Sequence, residues 1–230
     1  FYKKKTVKLI KEKFKIEKFN LFIDVGAHHG ETIDFFCKNF EINRIISFEA
    51  SPKSFKILEL KLKFFEKKFA NTIIEIENLA LGDENKIVNL KEFDESSSNT
   101  VKEIDEDSPY FKKKYRLLNF FKATNVFTKL EIKISKLGDY LKKKNIKEID
   151  FLKIDTEGSE YDIIKGLDDN LKNIKMIYFE HHYDLMIRKD YKFRQINDLL
   201  ISNNFKKVLK LKMPFRKVFE YIYVNEKTAE

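Results

Sequence analysis

Along the chain, short apolar runs alternate with stretches whose apolar residues recur at helical spacing. Leu21-Phe22-Ile23-Asp24-Val25 is a compact run closed by Gly26, the pattern of a strand covered on both faces. Thr32 to Phe40 reads as a helix, and Arg44 to Glu49 as a second strand. Ser51 followed by Pro52 marks a helix start, with serine as N-cap and proline in the first helical position; its apolar stripe runs to about Lys68. An isoleucine-rich strand is expected over 72–79. Two β-α-β units in succession predict a parallel sheet with right-handed crossovers. Further strands are expected at 85–91, 126–134, 149–154 and 175–180, with 205–212 and 217–225 as a closing antiparallel pair. Helices are expected at 136–144, capped by Ser135, at 159–166, ended by Gly166, and at 191–203.

Ahead of these elements, residues 1–18 read as an amphipathic basic helix carrying Val7, Leu9, Ile10, Phe14 and Ile16 among lysines. Residues 19–230 read as one domain with an insertion over about 92–125, acidic and serine-rich at first, then rich in lysine and aromatics. An insertion of this length is expected to be a lid or a mobile segment. At 230 residues the chain is long enough for a full core without staples. Cys37 is alone, so no internal disulfide forms and a reducing, cytoplasmic location is expected. No apolar run reaches the length of a membrane span. The basic start, Phe1 to Lys5, lacks the apolar core of a signal peptide, and without an initiator Met the chain is expected to continue upstream.

The formal net charge of +9 brings nucleic acid into consideration. Only five of the 46 basic residues are arginines, however, and readers of phosphates and base edges favour arginine's fork. The charge is therefore read as solvated lysine faces, with peripheral contact to anionic surfaces as the other reading.

Candidate chemistry gathers at the carboxyl ends of the strands. Asp24-Val25-Gly26-Ala27-His28-His29-Gly30 is a strand-to-helix turn in which glycines allow close backbone approach and the helix start offers free N–H groups. His28 stands where a dinucleotide fingerprint needs its second glycine, which disfavours a pyrophosphate and a nicotinamide dehydrogenase. A smaller anion, such as the carboxylate of a methionine moiety, fits Gly26, His28 and Gly30 better. Glu49, in Phe48-Glu49-Ala50-Ser51-Pro52, is placed to hold two ribose hydroxyls. Asn78-Leu79-Ala80-Leu81 could bracket an adenine, with Asn78 reading its edge. Lys153-Ile154-Asp155-Thr156-Glu157 delivers Asp155 and Glu157 to the same edge, and Tyr178-Phe179-Glu180-His181-His182 brings Glu180 and His182. The four histidines form two pairs expected just past strand ends, but adjacent imidazoles point apart and no further zinc spacing exists, so no metal site is expected.

In this order the motifs resemble the FkbM family of S-adenosylmethionine-dependent methyltransferases over roughly Phe19 to Asn225. The specific pieces are Asp24 to Ala27 with Gly30, Phe48 to Pro52, Ala80 to Asp83, the serine patch Ser96-Ser97-Ser98, and Phe151 to Glu160. The resemblance implies an α/β, Rossmann-like methyltransferase fold: a seven-stranded, mostly parallel sheet with one antiparallel strand and helices on both faces. It also implies S-adenosyl-L-methionine as cofactor and a small-molecule or saccharide hydroxyl as acceptor. The expected cofactor residues are Asp24, Gly26, Ala27, His28, Gly30, Glu49, Ala50, Ser51, Asn78, Ala80, Leu81 and Asp155; the expected catalytic residues are Asp155, Glu157, Glu180 and His182, with His182 the first choice of base. The rival readings are an RNA or protein methyltransferase and a non-catalytic interaction domain. An Asn/Asp-Pro-Pro-aromatic motif of base amino-methylating enzymes cannot be built from Pro52, Pro109 and Pro214, and the intact Glu49 and loop glycines weigh against a degenerate domain.

Overall fold

The computed structural model describes residues 2–93, 99–112, 127–183, 186–214 and 216–227. The serine patch at 96–98 and much of the 92–125 insertion lie outside the described residues. A helix, α1 (Tyr2–Lys8), runs into a π-helical turn (Leu9–Lys13), and strand β1 (Lys18–Val25) follows. The expected helix over 1–18 is thus shorter, because Lys15 turns into the left-handed region (φ 57) and sends the chain toward the sheet. Helix α2 (Glu31–Asn39), strand β2 (Glu41–Phe48), helix α3 (Pro52–Lys68) and strand β3 (Ile73–Glu77) complete the two β-α-β units. The serine cap of α3 is present: Ser51 Oγ accepts from Ser54 N at 3.1 Å.

The run expected as one strand over 72–79 breaks at Asn78, and β4 (Ala80–Gly82) leaves the main sheet. It joins β7 (Phe127–Lys136) and β5 (Lys86–Phe93) in a separate three-stranded sheet ordered β4-β7-β5. Helix α4 (Leu137–Lys143) follows, with its N-cap at Lys136, one residue beyond the expected Ser135, which is still within β7. Then come β8 (Ile149–Ile154), α5 (Glu160–Lys165), a 3-10 turn (Asp168–Asn173), β9 (Ile174–His182), α6 (Phe193–Ser202), β11 (Phe205–Lys212) and β12 (Val218–Asn225). Between β9 and α6, β10 (Ile187–Arg188) pairs with β6 (Glu103–Ile104), pinning part of the insertion onto the body.

The main sheet has the order β11-β12-β9-β8-β1-β2-β3, and only β12 runs against its neighbours. This is the expected seven-stranded, mostly parallel architecture. Alternation along each strand separates two cores. One face buries Ile23, Ile154, Ile177 and Tyr223 against Leu137 of α4, Ile163 of α5 and Ile196 of α6. The other buries Phe22, Phe151, Met176 and Ile222 against Ile10, Phe36 of α2 and Phe65 of α3. There Phe22 and Phe151 stack with centroids 4.8 Å apart, and losing either ring would cost ~3–5 kcal/mol.

Gly166 does close α5, but with φ −67 rather than a left-handed turn. A Cβ there would lie 1.9 Å from the Gly82 carbonyl oxygen, so the glycine permits close approach between α5 and β4. No helix among the described residues is long and apolar enough to cross a membrane.

Candidate active site

The carboxyl ends of β1, β2, β8 and β9 open into a cleft of about 650 Å³. Its first wall is the turn after β1. Gly26 (φ +84) and Ala27 both donate their N–H groups to Phe48 O, at 2.9 and 3.0 Å, fastening the turn to the end of β2. An added Cβ on Gly26 would fall 1.9 Å from the Asp155 carbonyl oxygen. His28 is also left-handed (φ 50), unusual for a residue with a side chain, and its N–H donates to Glu49 Oε2 at 2.7 Å. Ser51 N–H donates to the other oxygen, Oε1, at 2.9 Å. Glu49 is thus gripped from both sides on the cleft wall while only 7% exposed. Burial raises its carboxyl above the usual carboxylate range, with the two amide bonds and His28 opposing.

His28 and Glu31 flank the mouth. The Glu31 carboxylate lies 3.3 Å from His28 Nδ1, and the His28 and His29 rings stack with centroids 3.7 Å apart. The hydrogen bond to Glu31 raises the imidazole of His28 against the pull of burial. For Glu31, burial pulls upward but the bond to His28 and backbone amides hold the carboxyl at about 2. Ligand atoms of His28, His29 and Glu31 lie within 4.8 Å of one another, yet the ring planes are only 23° apart. Two stacked, nearly parallel imidazoles cannot both aim in-plane lone pairs at one ion.

The second wall comes from β8, β9 and β12. Asp24, Lys153 and Tyr178 occupy matched positions on neighbouring strands. Lys153 Nζ sits 3.2 Å from Asp24 Oδ1 and 3.4 Å from Asp155 Oδ2. Its ammonium is raised: the carboxylates of Asp24 and Asp155 outweigh desolvation, which pulls the other way. Tyr178 hydrogen-bonds Glu220 of β12, and burial chiefly pushes its phenol well above its ordinary value. Glu180 and Glu157 both face the cleft, and His182 Nε2 lies behind them, 3.0 Å from Glu180 Oε1 and 3.3 Å from Glu157 Oε2. Burial, then the nearby Asp155, raises the Glu180 carboxyl.

The cleft therefore gathers Gly26, Ala27, His28, Glu49, Ala50, Ala80, Leu81, Asp155, Glu157 and Glu180 of the expected residues. The others support it from behind. Asp24 is fully buried against Lys153, and Gly30 packs beneath Phe65 of α3. Ser51 caps α3, and Asn78 Nδ2 donates to Glu49 O at 2.8 Å, tying the end of β2 to that of β3. The second histidine pair does not follow β9 but ends it, paired with Phe219 and Val218 of β12. Strand alternation then sends His182 toward the carboxylates and His181 into an aromatic cluster. Sequence reasoning missed Lys153, Tyr178, Glu220, Asn99, Thr100 and Ser159, all on the cleft wall. Lys153 was detectable as a cation inside an apolar strand; Glu220 needed knowledge of how β12 registers on β9.

With the geometry in place, comparison with known proteins decides the family. Residues 24–207 match the methyltransferase FkbM domain. The chain belongs to the FkbM methyltransferase family. An FkbM methyltransferase from Methylobacillus flagellatus KT superposes with a TM-score of 0.60 at 13% identity, covering 90% of this chain and 44% of that one. A candidate tRNA (m1A22) methyltransferase from Streptococcus pneumoniae gives 0.50 at 10% identity, covering 98% and 70%. At these identities both show the shared fold alone. Methyltransferase 1 of Beauveria bassiana is 22% identical over 151 residues, 65% of this chain and 59% of that protein. This FkbM chain thus spans less than two thirds of the Methylobacillus chain and of the Beauveria protein.

Proposed function

We propose that this FkbM domain is an S-adenosylmethionine-dependent methyltransferase acting on a hydroxyl oxygen of a small-molecule or saccharide acceptor. The observation that carries the cofactor reading is Glu49: a carboxylate at the end of β2, held by His28 and Ser51 amides on the cleft wall. Two amide bonds leave acceptor capacity on both oxygens for a pair of ribose hydroxyls. The turn from Gly26 to His28 and the start of α2 suit the carboxylate of the methionine end, and Leu79, Ala80, Leu81 and Leu90 form an apolar wall suited to a purine.

When bound, the cofactor supplies an activated methyl group on a sulfonium. The chain's part is to place the acceptor and take its proton. Orientation of this kind is worth up to ~7–11 kcal/mol. Glu180 takes the proton, since its raised carboxyl lies nearer neutrality than an ordinary glutamate and faces the cleft. His182, the first choice from sequence, stands one step back and orients both Glu180 and Glu157.

Calorimetric titration of the chain with S-adenosylhomocysteine tests the cofactor reading. Saturable binding is expected, weakened ~10-fold or more in Glu49→Gln, because one amide then faces an NH₂ group; absence of any binding sinks the reading. On a verified acceptor, Glu180→Gln should lower kcat by ~10²–10⁴-fold and His182→Asn by less. If both variants keep full turnover, the base is elsewhere.

A further inference from the structure

Helix α3 meets the body of the protein through Ser54, Leu58 and Phe65. On its opposite face Lys53, Lys56, Leu60, Lys63 and Lys67 follow one another at intervals of three and four residues, so they form a single outward stripe roughly 21 Å long. All five are exposed, and Leu60 is the extreme at 77%. Phe64, one turn beyond Leu60, is 59% exposed. The two glutamates of the helix, Glu59 and Glu66, fall to one side of the stripe. None of the four lysines lies within ion-pair distance of a carboxylate among the described residues, whereas Lys68, round the helix, pairs with Asp34. The fold therefore makes no use of this stripe.

Single exposed apolar residues are common and need no partner. A large aliphatic and an aromatic side chain set together within a row of unneutralised lysines are a different pattern, that of a helix lying at a lipid interface. The cations call for an anionic partner, and the apolar pair decides which kind. Leu60, the most exposed, has nothing to offer a phosphate backbone or a base edge, and the stripe holds no arginine to read either. The Phe64 ring has Lys68 Nζ 5.2 Å from its centroid, which obstructs base stacking on that side. A lipid surface takes both components at once, phosphates outside and acyl chains beneath. The stripe also adjoins the cleft. Helix α3 starts two residues after Glu49, and on its flank Lys61 Nζ donates to His29 O, at the turn by the cleft mouth, at 3.1 Å.

We propose that the outer face of α3 docks the protein peripherally on an anionic lipid surface: Lys53, Lys56, Lys63 and Lys67 engage the headgroup phosphates, while Leu60 and Phe64 enter the boundary beneath them. Each lysine held at such a surface strengthens attachment about fivefold, and salt screens that attraction. The inference is independent of what the cleft binds, and it requires no membrane-spanning helix.

The test is flotation of the whole chain with vesicles of phosphatidylcholine alone and with vesicles containing about one third phosphatidylglycerol. The wild-type chain should float with the anionic vesicles only, and less so at high salt. Changing Lys53, Lys56, Lys63 and Lys67 together to Gln should weaken that binding ~100-fold or more and leave the melting temperature unchanged, because all four side chains are solvated in the free protein. A second readout reports the apolar pair. The chain contains no tryptophan, so Phe64→Trp adds a single fluorophore to this face. Its emission should shift to the blue on anionic vesicles and stay unchanged on phosphatidylcholine. The proposal is wrong if the wild-type chain ignores anionic vesicles, if the four-lysine variant floats as well as the wild type, or if the fluorophore stays in water while the chain binds. A chain that ignores both vesicles yet retains polyuridylate through these lysines has nucleic acid as its partner, which also overturns the lipid assignment.

Discussion

The two walls of the cleft are built from different materials. The wall after β1 and β2 is backbone: N–H groups of Gly26, Ala27, His28 and Ser51 aimed at fixed acceptors, with three left-handed residues, Gly26, His28 and Gly30, in one short turn. The wall over β8, β9 and β12 is side chain: Lys153, Tyr178, Glu180, Glu220 and His182, brought together by strand register. A backbone wall fixes the turn and the Glu49 carboxylate in place, and a side-chain wall can change its acceptor by substitution without touching the fold. The contrast makes different forecasts for damage on each side.

Gly26→Ala should have the largest effect. The new methyl would meet the Asp155 carbonyl at 1.9 Å on a backbone already at φ +84. Both the turn and the β1–β8 junction must shift, at a cost of ~3–5 kcal/mol and complete loss of S-adenosylhomocysteine binding. For a chain of this size that lowers Tm by roughly 10 °C, readable by calorimetry or near-UV circular dichroism. A variant with wild-type Tm would show that the backbone wall is softer than its geometry implies.

Next comes Lys153→Met, aimed at the other wall. It leaves Asp24, fully buried, without its cation, and removing one partner of a buried pair costs ~3 kcal/mol or more. Pairing it with Asp24→Asn removes the stranded charge, so the double variant should recover most of the lost stability. The backbone wall has no such rescue. If the double variant melts no higher than Lys153→Met alone, the two residues are not a coupled pair.

What was legible in the sequence follows the same division. Gly26, Glu49 and the Ser51-Pro52 helix start are local: turn chemistry and capping act over a few residues, so a string of letters carries them. The order of β-α-β units likewise fixes a parallel sheet. Asn78 donates to Glu49 O, a partner far away in sequence that no local pattern announces. Glu220 and Tyr178 meet because β12 inserts antiparallel beside β9, a register that no window of sequence contains. The histidine pair 181–182 was placed past a strand end because the apolar run of β9 stops at Phe179, while pairing with β12 carries the strand on to His182.

Those adjacent histidines sharpen the comparison last and most gently. His182 looks onto Glu157 and Glu180, whereas His181 packs against Tyr183, Tyr191 and Phe193 at centroid distances of 4.7, 5.9 and 5.5 Å. Burial, then the nearby Lys189, pushes the His181 imidazole down to about 3 from 6.5. The unfolded chain therefore takes a proton at pH values where the folded chain refuses it. Stability is full above pH 6.5 and falls as pH drops from 6.5 toward 3, with a slope of at most ~1.4 kcal/mol per pH unit from this group. His181→Phe keeps a ring among the aromatics and abolishes that term. Urea denaturation at pH 7 and pH 5 should show a smaller acid loss in the variant than in the wild type. An equal loss in both would mean that the wild type's acid sensitivity comes from the carboxylate wall, and that the aromatic side of β9 is electrostatically silent.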